Sequence, residues 1–247
     1  MPNVMALLVA AGRGSRMGDA TGGSAKQYAA LDHLSVLTHA LEALLEADEV
    51  TGVQVVIHPD DDALYKSSIE ALGPAKDRIA PPVTGGETRQ ASTHNGLHAI
   101  ASLQPDLVLI HDAARPFLPG DVIRRVIAGC VSNDGAIPGL PSIDTVKQVD
   151  RHGVVVKTLP RDTLLRVQTP QAFHFAALLD AHEAVAHTTP EQQAIFTDDA
   201  SIMEAAGHRV IVVEGDERLR KITTPEDLMW ARQQVAAGLP EAESATS

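Results

Sequence analysis

Five short runs rich in Val, Ile and Leu, at Val4–Val9, Val53–Ile57, Leu107–Ile110, Gly135–Leu140 and Arg209–Val213, alternate with longer amphipathic segments near 34–47, 60–72, 87–103, 119–131, 174–187 and 224–236. Short apolar runs without polar alternation read as strands buried on both faces, and the longer segments carry a helical period. This strand–helix rhythm implies an α/β fold: a mostly parallel sheet with helices on both faces and a ligand site outside the carboxyl ends of the strands. With 247 residues and 44% hydrophobic content the chain can bury a large core, so a single domain is expected over residues 1–237. Two segments depart from the rhythm. Val146–Val149, the turn Asp150-Arg151-His152-Gly153 and Val154–Val156 predict a β-hairpin within an arm at about 141–163, a device that often serves a partner subunit. Thr224-Pro225-Glu226-Asp227 marks a helix start, with Thr at the N-cap and Pro at the first helical position. Residues 238–247, composed of Gly, Leu, Pro, Glu, Ala, Ser and Thr, read as a disordered tail.

The formal net charge of −12 disfavours a nonspecific nucleic-acid binder, which needs a broad basic face. Cys130 is the single cysteine, which leaves no intramolecular disulfide and no Cys-based zinc site, and fits a reducing cytoplasm. No apolar run reaches the roughly 18 residues a bilayer span requires, so no membrane partner is expected.

Against this acidic background the cations near the N-terminus are informative. The first apolar run breaks into Ala10-Ala11-Gly12-Arg13-Gly14-Ser15-Arg16-Met17-Gly18, with Lys26-Gln27-Tyr28 following. Free backbone N–H groups and three cations, Arg13, Arg16 and Lys26, gathered after a buried strand suit a polyphosphate. The pattern is neither a Walker loop, since no Lys-Ser or Lys-Thr follows Gly18, nor a dinucleotide fingerprint, since Met17 stands at the third glycine.

A second motif, His111-Asp112-Ala113-Ala114-Arg115-Pro116, follows another buried strand and offers a carboxylate for a metal or ribose hydroxyl and a guanidinium for a phosphate. A third, Gly85-Gly86-Glu87-Thr88-Arg89-Gln90-Ala91-Ser92, permits close approach to the main chain at a helix start. His94 and His98 stand at i, i+4, but without the glutamate of His-Glu-x-x-His or an evident third ligand they are assigned no metal role. His111 reads as a loop-fixing residue rather than an acid or base.

The ordered set Ala-Ala-Gly-x-Gly-x-Arg-Met, Lys-Gln-Tyr, Gly-Gly-x-x-Arg-x-x-Ser, His-Asp-Ala-Ala-Arg-Pro, Asp-Thr-x-Lys, Gln-Thr-Pro-Gln, Thr-Asp-Asp-Ala and Lys-Ile-Thr-x-Pro-Glu-Asp-Leu resembles the 2-C-methyl-D-erythritol 4-phosphate cytidylyltransferase family over about residues 4–236. The resemblance implies a Rossmann-like sheet, an arm used for homodimerisation, and synthesis of CDP-methylerythritol from CTP in the non-mevalonate isoprenoid pathway. It further implies direct attack of the acceptor phosphate on the α-phosphorus with no covalent intermediate, Mg2+ bridging the phosphates. Arg16, Lys26 and Lys221 match the catalytic cations. Ala10, Ala11, Gly12, Gly14, Gly86, Glu87, Arg89, Ser92 and Asp112 match the CTP site, Asp112 also being the one protein ligand offered for the metal. Arg115, Thr169 and Lys221 match the acceptor site, with Thr145 and Arg161 presented by the arm across the dimer interface.

Departures from the family pattern are Ala25 where many relatives have Pro, Glu87 for Asp, and Leu219 for Asn, and nothing after residue 236 resembles the cyclising enzyme sometimes fused there. Two other readings stay open: a cytidylyltransferase for ribitol 5-phosphate or another polyol phosphate, which would differ only in the acceptor pocket, and a non-catalytic nucleotide-binding regulator. The sign of the latter would be loss of Arg16, Lys26 or Lys221, and all three are present.

Overall fold

A computed structural model describes residues 2–13 and 25–238. Gly14 and Arg16 lie outside the described residues, as does the expected tail from 239 onward. In chain order the elements are β1 (Val4–Ala10), α1 (Val36–Glu46), β2 (Gly52–Ile57), α2 (Asp62–Glu70), β3 (Val83–Thr84), α3 (Arg89–Ile100), β4 (Leu107–Asp112), α4 (Gly120–Gly129) and β5 (Gly135–Pro141). Then follow β6 (Lys147–Val149), β7 (Val155–Thr158), β8 (Leu165–Val167), β9 (Gln171–His174), α5 (Phe175–Ala186), α6 (Pro190–Gln193), α7 (Asp199–Ala205), β10 (Val210–Glu214) and α8 (Pro225–Ala236).

Among the described residues the main sheet runs β10-β5-β9-β4-β1-β2-β3, with β8 added to β5. The β1–β2, β1–β4, β2–β3 and β5–β10 ladders are parallel, as the strand–helix rhythm requires. The short β9 lies antiparallel between β4 and β5, and β8 pairs antiparallel with β5. Neither strand was expected: β9 holds only four residues, too few to show a period, directly before the helix predicted near 174–187, which is α5.

Alternation along β1 divides the core. Ala6, Leu8 and Ala10 pack on one side with Leu37, Leu41 and Leu44 of α1 and Val122 and Val126 of α4, while Met5 and Leu7 face Leu97 and Ile100 of α3 and Leu178 of α5. Both faces are therefore covered, which is why the strands read as unbroken apolar runs. A third cluster, with Ala29, Leu31, Val36, Phe117, Ile222, Leu228 and Ala231, seats α8 and the 25–31 segment beside the carboxyl end of the sheet. The α8 start is fixed by a reciprocal cap between Thr224 and Asp227, with Pro225 in the first turn, as the sequence predicted.

The hairpin expected at 146–156 is present as β6 and β7, a two-stranded sheet separate from the main one. Asp150 Oδ1 accepts from the N–H groups of His152 and Val154, and Gly153 takes the left-handed φ of +80° that closes the turn.

Candidate active site

The carboxyl ends of β1, β2 and β4 and the turn after β3 border a cleft of about 470 Å³. Its floor is main chain at Ala10, Ala11 and Gly12, one wall is Gly86, Glu87, Thr88 and Arg89, and the other is formed by Asp112, Ala113 and Ala114 with Lys221 and Thr223. Lys26 and Gln27 also line it, as do Arg13 and His58. The site thus falls where a parallel sheet places it.

Close approach to the backbone is built in at Gly85 and Gly86. A Cβ on Gly85 would stand 2.4 Å from Cβ of Ala11 and 2.8 Å from Oγ of Ser92, and one on Gly86 would stand 2.5 Å from Cβ of Ala91. Ser92 does not line the cleft. Its buried hydroxyl donates to the Thr88 carbonyl at 2.9 Å and accepts from the Gly86 N–H at 3.1 Å, so it holds the glycine turn against α3. Thr88 caps the helix through the Ala91 N–H, and the first residue of α3 is then Arg89, aimed across the cleft.

Asp112, at the end of β4, is the electrostatic centre. Lys221 Nζ donates to its Oδ2 at 2.6 Å, Arg89 Nε donates to Oδ1 at 3.3 Å, and Arg115 Nε lies 3.9 Å from Oδ2. Burial alone would raise this carboxyl, but Arg89, Lys221 and Arg115 overwhelm that effect and hold it far below the ordinary carboxylate range. The cluster is therefore a fixed anion held by three cations, of which Arg89 and Lys221 line the cleft.

Each cation is itself positioned. Arg89 Nη1 lies 2.8 Å from the buried Asp199 Oδ2, whose other oxygen accepts from His182 Nε2 at 3.1 Å. Arg115 donates to the Leu219 carbonyl, and the Ile222 N–H donates to the Ala114 carbonyl at 2.8 Å, so the 219–222 strap is stitched to the loop after β4. Asp227 completes the strap by accepting from the N–H groups of Thr223 and Thr224, each at 2.9 Å, which leaves Lys221 facing Asp112. Lys26 Nζ donates to the Ile222 carbonyl at 2.7 Å, joining the first loop to the same strap.

Beneath Asp112 runs a chain of neutral hydrogen bonds. His111 Nε2 donates to the Arg115 carbonyl at 3.0 Å, which puts the proton on Nε2, and Nδ1 accepts from the Thr169 hydroxyl at 3.0 Å. The Thr169 oxygen in turn accepts the Asp112 N–H at 3.1 Å. Burial pushes the His111 imidazole down to about 4, so it stays neutral, a loop-fixing residue as the sequence suggested.

The predicted residues thus sort into three groups. Ala10, Ala11, Gly12, Lys26, Gly86, Glu87, Arg89, Asp112 and Lys221 meet in the cleft. Ser92, Arg115 and Thr169 sit behind its walls and orient what lines them. Thr145 and Arg161 lie exposed at the arm, outside the cleft of their own chain. Arg13, expected to grip phosphate, lines the cleft and there pairs with Asp60 at 2.6 Å and Asp61 at 3.0 Å, just past the end of β2. Gln27, Asp199 and His182 received no role from the sequence. Gln27 Nε2 donates to the carbonyls of Ala10 at 2.5 Å and Gly12 at 3.1 Å, clamping the cleft floor. Its place inside Lys26-Gln27-Tyr28 was the available signal, as Thr197-Asp198-Asp199-Ala200 was for Asp199; His182, inside an apolar helix, gave none.

Fold and site together define a Rossmann-like α/β nucleotidyltransferase scaffold, with a cationic cleft at the carboxyl edge of its sheet. The solved 4-diphosphocytidyl-2C-methyl-D-erythritol synthase of Anaerococcus prevotii superposes with a TM-score of 0.80 at 28% identity, covering 95% of this chain and 96% of that one. The chain belongs to the 2-C-methyl-D-erythritol 4-phosphate cytidylyltransferase family, whose sequence profile matches residues 4–236. The cytidylyltransferase of Francisella tularensis superposes with a TM-score of 0.76 at 32% identity, over 94% of this chain and 99% of that one. Among sequence relatives, the bifunctional enzyme IspD/IspF of Nitrobacter hamburgensis is 44% identical over 241 residues, covering 98% of this chain and 57% of that protein. That of Rhodopseudomonas palustris is 44% identical over 245 residues, covering 99% and 58%. The chain therefore spans somewhat more than half the length of these bifunctional relatives. No helix among the described residues is long and apolar enough to cross a membrane.

Proposed function

We propose that this chain transfers the cytidylyl group of CTP to 2-C-methyl-D-erythritol 4-phosphate with release of pyrophosphate. The observation that carries this reading is the cluster in which Lys26, Arg89 and Lys221 converge with the buried carboxylate of Asp112 beside Ala10, Ala11 and Gly12. An oxygen of the acceptor phosphate attacks the α-phosphorus of CTP, a new P–O bond forms, and the bond to the bridging α–β oxygen breaks as pyrophosphate leaves. The nucleophile is already an anion, so no base is required, and the work is alignment and charge stabilisation. Lys221 and Lys26, tied to one strap, supply positive charge to the reacting phosphates, and Arg16 adds a third cation. The close main chain at Ala11 and Gly86 receives the base, where backbone donors and acceptors read the cytosine edge. Magnesium prefers hard oxygen ligands, retains several waters and often takes only one or two carboxylates beside phosphate oxygens. Asp112 fits that demand as one protein oxygen, and the ion would supply further charge neutralisation on the phosphates.

The arm completes the reading. Thr145 and Arg161 lie outside the cleft of their own chain, while the arm exposes apolar side chains, which supports a homodimer in which each arm serves the partner's acceptor site. The test is pyrophosphate release by purified protein with magnesium and CTP, comparing methylerythritol 4-phosphate with ribitol 5-phosphate. Release with the first acceptor is expected. Preference for ribitol phosphate would reassign the acceptor, and silence with both would overturn transferase activity.

A further inference from the structure

His94 and His98 lacked a third ligand in the sequence, and the fold supplies one. Glu183, in the last turns of α5, reaches across to α3: its Oε1 lies 2.7 Å from His98 Nε2, and its Oε2 lies 3.6 Å from His94 Nε2. The two imidazole Nε2 atoms are 3.1 Å apart, and one ligand atom from each residue falls within a sphere of mutual distances under 4.8 Å. Ligands bonded to zinc at 2.0–2.2 Å in a tetrahedron stand about 3.3 Å from one another, the range spanned here.

We propose that His94, His98 and Glu183 form a binding site for a divalent transition metal of borderline softness, zinc foremost, with water in the fourth position. Two imidazoles and one carboxylate are a zinc donor set, and they disfavour magnesium or calcium, which take oxygen. The His94 ring stacks on the buried His182, with centroids 6.3 Å apart and planes at 10°, which holds its orientation. His94 and His98 lie five and nine residues beyond Arg89, roughly 8 and 13 Å along the helix, and neither lines the cleft, so an ion here would sit behind it. Its effect is to cross-link α3 to α5. These are the two helices that carry Arg89 and its support His182, so the ion would fasten the scaffold behind the cationic cluster.

The test uses tag-free protein stripped of metal with a chelator, then titrated with zinc against a chromophoric competitor and, separately, with cobalt(II). Expected are one zinc per chain, a cobalt spectrum of tetrahedral intensity, and a rise in Tm with zinc. His98→Gln and Glu183→Gln replace half-exposed side chains and leave the core intact; each is expected to weaken zinc binding by at least about tenfold and to abolish the Tm rise. His208→Gln, at a distant His–Asp pair, should change neither. Absence of stoichiometric binding, or affinity unchanged in both ligand variants, would overturn the site.

Discussion

At the scale of single residues, the centre of the site is one carboxylate and the groups that keep it charged and still. Replacing Lys221 by Met removes the shortest ion pair of Asp112 and the positive charge expected at the reacting phosphates, while Arg89 continues to pair with the carboxylate. Turnover is expected to fall on the order of 10²-fold with native Tm nearly retained, measured by pyrophosphate release; activity within threefold of wild type would remove Lys221 from the proposed mechanism. His111 contributes through its protonation state. Free histidine titrates near 6.5, and burial holds His111 at about 4, so on acidification the unfolded chain takes up the proton first. Its contribution is then complete above about pH 6.5 and is lost as pH falls from there through 4. Between pH 7.5 and 5, wild type should lose about 2 kcal/mol more unfolding free energy in urea than His111→Gln, which keeps a donor for the Arg115 carbonyl. Equal losses would mean that His111 titrates normally in the fold.

Elements explain why part of this site was legible in the sequence and part was not. Strands of the sheet announce themselves as apolar runs, so β1, β2, β4, β5 and the edge strand β10 stood out, and with them the carboxyl ends that hold Ala10–Gly12 and Asp112. The strands that bring Thr169 and Gln171 to β4 carry no such signal, because β9 is short, antiparallel and preceded by polar residues whose partners lie far off in the chain. Arg13 lines the cleft, as a cation beside Gly12 was expected to, and only the fold reveals its partners Asp60 and Asp61 just past the end of β2. The Gly85-Gly86 turn was legible as a place of close approach, but not what approaches it. Gly85→Ala drives a methyl group into Ala11 and Ser92, neither of which has a flexible end to yield, so the turn and the cleft floor must separate. The expected cost is about 2 kcal/mol of stability, seen in urea unfolding, together with at least tenfold weaker CTP binding by calorimetry. Unchanged CTP affinity would show that the floor does not hold the nucleotide.

The whole molecule is defined by what a single chain leaves unfinished. β6 and β7 form a ribbon of two short strands, and Val149, Val155 and Val156 on it are each more than half exposed, as is Val154 in its turn. A two-stranded ribbon with apolar side chains in water on both faces is marginal alone, which argues for a covering partner, and a second copy of the chain gives the symmetric solution. Val155→Asp is therefore expected to convert a dimer to a monomer in analytical ultracentrifugation and to depress turnover with it; a wild-type protein already sedimenting as a monomer would end the argument. The finer claim is that the arm acts in the partner's site, and complementation decides it. In a hybrid of Lys221→Met and Arg161→Ala chains, an arm that crosses gives one site with both lesions and one with neither. An arm that serves its own chain leaves no intact site. Random mixing makes half the dimers hybrids, so exchange between two weakly active variants should restore roughly a quarter of wild-type turnover if the arms cross. No recovery, with exchange verified by mass, would place Arg161 in the service of its own cleft.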